Sequence, residues 1–161
     1  MRATILADAS WCPHSHAGGW GYWIASDRGK RGGGGPLRTA TTSTVAEMMA
    51  VVNAVKVALN AELVEQGDEL LVQTDCLAAI DAFKGRRTCH DVDEQHVLQV
   101  YAAVLFAAPM HVAFRHVKGH TNRHTRPEAR FGANRACDGR ARHHMLAERA
   151  RRGYNGSVPQ D

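Results

Sequence analysis

Period-two patterning fills the first forty residues, and helical spacing takes over only at Thr44. That order limits the possible folds more than any property of composition. Thr4 to Ala9 is a short apolar run ending in Asp8-Ala9-Ser10. Gly19-Trp20-Gly21-Tyr22-Trp23-Ile24-Ala25 alternates small and aromatic residues, as a strand does. Arg28 to Pro36, with Gly32-Gly33-Gly34-Gly35 inside it, reads as a glycine-rich turn, and Leu37 to Thr41 as the returning strand. Thr44-Val45-Ala46-Glu47 is a capping-box pattern, and Val45, Met48, Met49, Val52, Val55 and Leu59 follow at helical spacing. Glu69 to Thr74 predicts a strand running directly into Asp75. Leu77, Ile80 and Phe83 mark a short helix that stops near Gly85. Asp93 can cap a helix carrying Val97, Leu98, Tyr101, Val104 and Leu105, which Pro109 ends. Val112 to Val117 predicts the last strand. A polar loop, Gly119 to Gly132, leads to a final helix from about Ala133 to Arg151.

The expected order is βββ-α-β-α-α-β-α. It implies an α/β fold with a mixed five-stranded sheet, three antiparallel hairpin strands plus two parallel ones, flanked by helices on both faces. A length of 161 residues suits one domain, placed at residues 1–152, with residues 153–161 as a flexible tail. Hydrophobic residues at 44% and charged residues at 22% exclude collagen-like and largely disordered chains. The longest nearly apolar stretch, Val97 to Phe114, is broken by Gln99, Pro109 and His111, so no membrane span is expected. No long apolar segment follows Met1. The expectation is a cytoplasmic protein whose Cys12, Cys76, Cys89 and Cys137 are free thiols. The net charge of +4 is unevenly placed: eleven Lys/Arg against three acids lie between Arg115 and Arg152. Such a basic C-terminal third suggests a polyanion, nucleic acid first.

Four acids stand at suggestive places. Asp8 and Asp75 end apolar strands, Glu47 lies in the first turn of a helix, and Asp138 near the start of the last helix. Brought together, four carboxylates repel; divalent cations remove that cost, and Mg²⁺ is typically held by a few carboxylates with substrate phosphate. Each acid also has an ordinary explanation. Asp8 suits a turn, Glu47 the capping box, Asp75 the cap of the next helix, and Asp138 the macrodipole of the last. Spacing alone leaves those explanations open.

The surrounding residues resemble a known family. Asp8-Ala9-Ser10 with Gly19-Trp20-Gly21, Ala46-Glu47-Met48-Met49-Ala50, Thr74-Asp75-Cys76, His116-Val117-Lys118-Gly119-His120-Thr121 and Asn134-Arg135-Ala136-Cys137-Asp138 are similar, in order, to the motifs of type 1 ribonuclease H. The resemblance implies cleavage of the RNA strand of RNA/DNA hybrids, leaving 3′-hydroxyl and 5′-phosphate ends. It implies two Mg²⁺ ions, replaceable by Mn²⁺, on Asp8, Glu47, Asp75 and Asp138. His120 matches a mobile-loop histidine that assists proton transfer or product release, with His124 as the alternative. Asn134 matches a position near the scissile phosphate. Ser10, Ser43, Thr44, Lys118, Arg123, Arg126 and Arg130 are the further candidates for substrate contact. The partner is an RNA/DNA hybrid, with no membrane and no obligate protein partner, and the chain is expected to be a monomer. The sequence departs from the family in three places. Asn122 to Gly132 is longer and rich in Arg, Thr42-Ser43-Thr44-Val45 stands where many members carry asparagines, and Lys84 to Glu94 is a reduced form of a basic protrusion.

Competing readings rank lower. Cys12, His14, His16, Cys89 and His90 lack the spacing of a zinc site. The glycine run lacks the Gly-Lys-Ser/Thr and helix of a phosphate loop. Nothing pairs Cys76 or Cys137 with a histidine for nucleophilic catalysis. Ser10 stands where a DEDD-type exonuclease carries Glu. A non-catalytic binding module, or a metal nuclease of the same fold acting on double-stranded RNA or structured DNA, remains as the alternative.

Overall fold

A computed structural model of the chain describes residues 2–117 and 128–154, with side chains from 133 onward in the second span. The elements are β1 (Arg2–Trp11), β2 (Gly18–Ser26), β3 (Gly29–Leu37), α1 (Ser43–Asn60), β4 (Glu69–Thr74), α2 (Leu77–Phe83), α3 (Val92–Ala107), β5 (His111–His116) and α4 (Glu128–Arg151). They form the expected mixed sheet, ordered β3-β2-β1-β4-β5. β1, β2 and β3 pair antiparallel, while β4 pairs parallel with both β1 and β5.

The pleat sorts the sheet into two faces. Ile5, Ala7, Tyr22 and Ile24 join the core with α1, whose Val45, Met48, Val51 and Val55 are fully buried. Burying such side chains contributes about 1.5–3 kcal/mol each, which fixes α1 against the sheet. Asp8 and its cross-strand partner Gly21 lie on the opposite face, against α4.

Four boundaries differ from the sequence reading, each for a physical reason. The glycine run is not a turn but the body of β3, paired with β2 from Gly18↔Leu37 to Ser26↔Gly29. The turn is a tight one, where Ser26 Oγ accepts from the Arg28 amide at 3.1 Å. A Cβ at Gly34 would meet the Trp20 carbonyl at 2.1 Å, and one at Gly33 the Tyr22 hydroxyl at 2.7 Å, so the strand must be bare there. Pro36 is tolerated because β3 is an edge strand. Leu37 to Thr41 is correspondingly mostly loop. Thr42, not Thr44, is the N-cap of α1; its hydroxyl accepts from the Val45 amide at 3.0 Å. Asp91, not Asp93, caps α3, accepting from the amides of Asp93 and Glu94. α4 begins at Glu128, five residues before the expected start.

Candidate active site

The sheet opens where β1 and β4 part. Their parallel register runs from Arg2↔Glu69 to Leu6↔Gln73 and stops, while β1 continues to Trp11. The gap beyond the carboxyl ends of parallel strands is where open α/β sheets bind ligands. Asp8 lies two residues past the last β1–β4 pair and Asp75 directly past the end of β4. Glu47 enters from α1. One carboxylate oxygen of each of these three residues lies within 4.8 Å of the others.

The ordinary explanations of the acids fall away one by one. With Thr42 as N-cap, Glu47 is the fifth residue of α1, beyond the reach of a capping box. The N-cap position of α2 is Cys76, not Asp75, and Cys76 makes no side-chain cap hydrogen bond. Asp138 sits ten residues into α4, too far from its N-terminus to answer the macrodipole. It instead lines a cleft with Asp8, Asp75, Asn134 and Cys137.

Glycine makes that cleft possible. A Cβ at Gly21 would meet the Cys137 carbonyl at 2.3 Å, and one at Gly19 the Ala141 carbonyl and Met145 amide, both at 2.3 Å. The backbone of α4 therefore lies directly on the backbone of β2. Cys137 anchors the same contact, its buried thiol donating to the Leu6 carbonyl at 3.9 Å. Asp138 is thereby held beside Asp8. In the sequence these glycines are the small members of a strand alternation and part of the first family-like motif; their packing role is a tertiary fact. Alternate glycines on one strand face signal close backbone approach.

The electrostatics match the crowding. Asp8 is pushed up to about 8, first by burial and then by the charges of Asp75 and Asp138; the Ala9 amide, donating at 3.0 Å, opposes the rise. The close approach of the Asp138 carboxyl adds to the rise of Asp8. Glu47 is raised well above its ordinary value, by burial first and by Asp8 and Asp75 next. Its Oε2 is buried without a hydrogen-bond partner among the described residues. An orphaned carboxylate oxygen amid two other carboxylates fits a hard divalent cation, whose binding releases the retained protons. Among the described residues no other group of three or more metal-type side chains gathers this way, so Cys12, His14, His16, Cys89 and His90 build no zinc site.

The remaining candidates divide. Asn134 is in the cleft. Ser10 lies in β1 opposite Gly19, and Ser43 and Thr44 form the exposed and half-buried start of α1. His120, its alternative His124, Lys118, Arg123, Arg126 and the side chain of Arg130 lie outside the described residues. Two polar contacts escaped the sequence reading. Thr41 Oγ1 donates to Asp93 at 2.6 Å, and a ring nitrogen of His116, Nε2, lies 3.0 Å from the carbonyl of Asp75, tying β5 to the mouth of the gap.

Comparison with known proteins converges on one family. The RNase H family profile matches residues 1–145. The fold is similar to RNase H1 from the halophilic archaeon Halobacterium salinarum NRC-1, at 18% identity and a TM-score of 0.69, covering 91% of this chain and 99% of that one. It is similar to the N-terminal RNase H domain of rv2228c from Mycobacterium tuberculosis, at 17% identity and a TM-score of 0.70, covering 93% and 97%. A third similar structure is LC11-RNase H1 in complex with RNA/DNA hybrid, at 15% identity and a TM-score of 0.66, covering 90% and 97%. A search of the curated proteins finds no match. No helix among the described residues is long and apolar enough to cross a membrane.

Proposed function

The chain belongs to the RNase H family, and from that premise we propose that it is an endoribonuclease that hydrolyses the RNA strand of RNA/DNA hybrids, leaving 3′-hydroxyl and 5′-phosphate ends. The observation that carries the reading is the convergence of Asp8, Glu47 and Asp75 within 4.8 Å, with one Glu47 oxygen orphaned. Asp8, Glu47, Asp75 and Asp138 would hold two Mg²⁺ ions, or Mn²⁺ in their place, which when bound supply activation of water and stabilisation of the leaving oxygen. The chain's own residues do the rest. Asn134, on the cleft wall, offers its amide to the scissile phosphate. Ser43 and Thr44, in the first turn of α1, offer hydroxyls and backbone amides to phosphate or sugar. Ser10 faces the same side of the sheet as Asp8 and contacts substrate from β1. Lys118, Arg123, Arg126 and Arg130 add charge along the backbone, and His120 aids proton transfer or product release. One domain over residues 1–152 carries all of these residues.

The test is one labelled duplex in four versions: RNA/DNA, RNA/RNA, DNA/DNA, and DNA with a single ribonucleotide. Each is incubated with Mg²⁺, with Mn²⁺ and with EDTA. The expected result is metal-dependent cutting of the RNA strand in RNA/DNA. Binding of the hybrid without cutting under any condition overturns the enzyme reading in favour of a non-catalytic module. Cutting confined to RNA/RNA or DNA/DNA reassigns the substrate.

A further inference from the structure

A second carboxylate lies buried at the far end of α4, in the opposite company. Glu148 has a side chain only 2% exposed, ringed by three guanidinium groups. Arg151 Nη2 donates to it at 2.6 Å, Arg152 Nε at 3.1 Å and Arg38 Nε at 3.4 Å. Arg152 is wholly committed to structure, because its Nη1 donates to the Ser15 carbonyl and its Nη2 to the Arg38 carbonyl, at 2.9 and 2.6 Å. It thereby staples the β1–β2 and β3–α1 loops to α4. Arg38 and Arg151 differ: their side chains are 62% and 59% exposed. Arg38 is anchored through Nε, and Arg151 through Nε at 2.9 Å as well as Nη2, so the outer edge of each guanidinium faces solvent in a fixed orientation.

Three arginines on one carboxylate leave an excess of positive charge at this corner, fixed in orientation before any ligand arrives. A pre-positioned guanidinium fork suits a phosphate oxygen pair better than a point charge does. The corner also has the right address. Glu148 follows Asp138 by ten residues on one helix, about 15 Å at 1.5 Å per residue. That is roughly four base-pair steps at about 3.4 Å each along a duplex axis. The Lys84–Glu94 side of the molecule offers less, since Arg87 is spent on the buried Glu94 at 3.0 Å and Asp91 and Asp93 stand beside it.

We propose that Arg38 and Arg151, splayed on Glu148, form a docking point for backbone phosphates of the nucleic acid several nucleotides away from the acidic cleft. This rests on the hybrid reading above and names where that hybrid leaves the cleft. Binding of a 20-base-pair RNA/DNA hybrid is measured by fluorescence anisotropy in EDTA over a salt series, with the duplex length chosen as about one and a half to two helical turns. The proteins are the wild type, Arg38→Gln/Arg151→Gln, Arg38→Lys/Arg151→Lys, and a charge-matched control, Arg2→Gln/Lys30→Gln, at the end of the sheet where β1 and β3 begin. Glutamine keeps a donor for Glu148 and removes the charge. The expected result is a slope of log K against log salt about 2 units shallower for the Arg-to-Gln pair, since each lost phosphate contact removes about 0.9. The Lys pair restores the slope, and the control pair keeps the wild-type slope. An unchanged slope in the Arg-to-Gln pair, or an equal loss in the control, overturns the proposal while wild-type cleavage of the same hybrid leaves the functional reading standing. Wild type that neither binds nor cuts the hybrid overturns both.

Discussion

α4 carries a carboxylate at each end of its sheet-facing length, and the two regions they occupy treat a buried acid in opposite ways. In the cleft, Asp8 is surrounded by Asp75 and Asp138 and is pushed up to about 8. At the corner, Glu148 is as buried as a core residue yet is held at about 2, chiefly by the Arg151 hydrogen bonds. Burial raises both; the neighbours decide the outcome. The corner is electrostatically complete and works as a fastener. The cleft is incomplete as a protein-only arrangement, and under the proposed function a cation would complete it.

Removing one acid from each region breaks the comparison most sharply. Asp8→Asn removes a crowded charge, so the metal-free protein is expected to melt higher while cleavage falls roughly 10³-fold or more. Calorimetry in EDTA and single-turnover cleavage check both halves, and wild-type turnover in the mutant rejects the metal assignment. Glu148→Gln does the reverse, stranding three arginines around a neutral group. The partners sit at the surface and are screened, so the cost is about 2 kcal/mol, below the value for a fully enclosed pair. Thermal unfolding should show a midpoint lower by about 4–8 °C. A midpoint at or above wild type refutes the fastener.

The smallest effect sharpens the contrast through pH. Asp8 has its folded value raised from 3.8, so its contribution to stability is present below about pH 4 and is lost as pH rises towards 8. Glu148 has its folded value lowered from 4.5, so its contribution is present above that pH and is lost as pH falls towards 2. The metal-free protein should therefore lose a few degrees of melting temperature as pH rises from about 4 to about 8. Millimolar Mg²⁺ should restore them at pH 8 more than at pH 5, because the cation binds the ionised cleft. Equal Mg²⁺ stabilisation at both pH values contradicts the assignment.

Much of the cleft was legible in the sequence because three of its acids stand beside local signals; the fourth, Asp138, lies ten residues inside α4 and was marked out only by the resemblance. Asp8 and Asp75 follow apolar runs, and Glu47 follows hydroxyl residues that announce a helix. The element order was legible for the same reason. Where local signals mislead, the reading slipped. Four consecutive glycines look like a turn because flexibility is their only local property; that Trp20, Tyr22 and Arg140 fill the space of their missing side chains is a tertiary fact. The start of α4 had a signal that went unread: Pro127 followed by Glu128 is proline and acid at a helix entrance. The corner had no signal at all. Arg38 and Glu148 are 110 residues apart, and nothing short of the folded chain brings them together.

The main-chain contact between α4 and the glycines of β2 has a consequence in time. Asp138 leaves the ribosome 63 residues after Asp75, about 3–13 s later at 5–20 residues per second. Until then the gap between β1 and β4 lacks the wall formed by Asn134, Cys137 and Asp138. Glu148, which fastens the helix, emerges later still. A chain written in this order completes its acidic cleft only once α4 has been made.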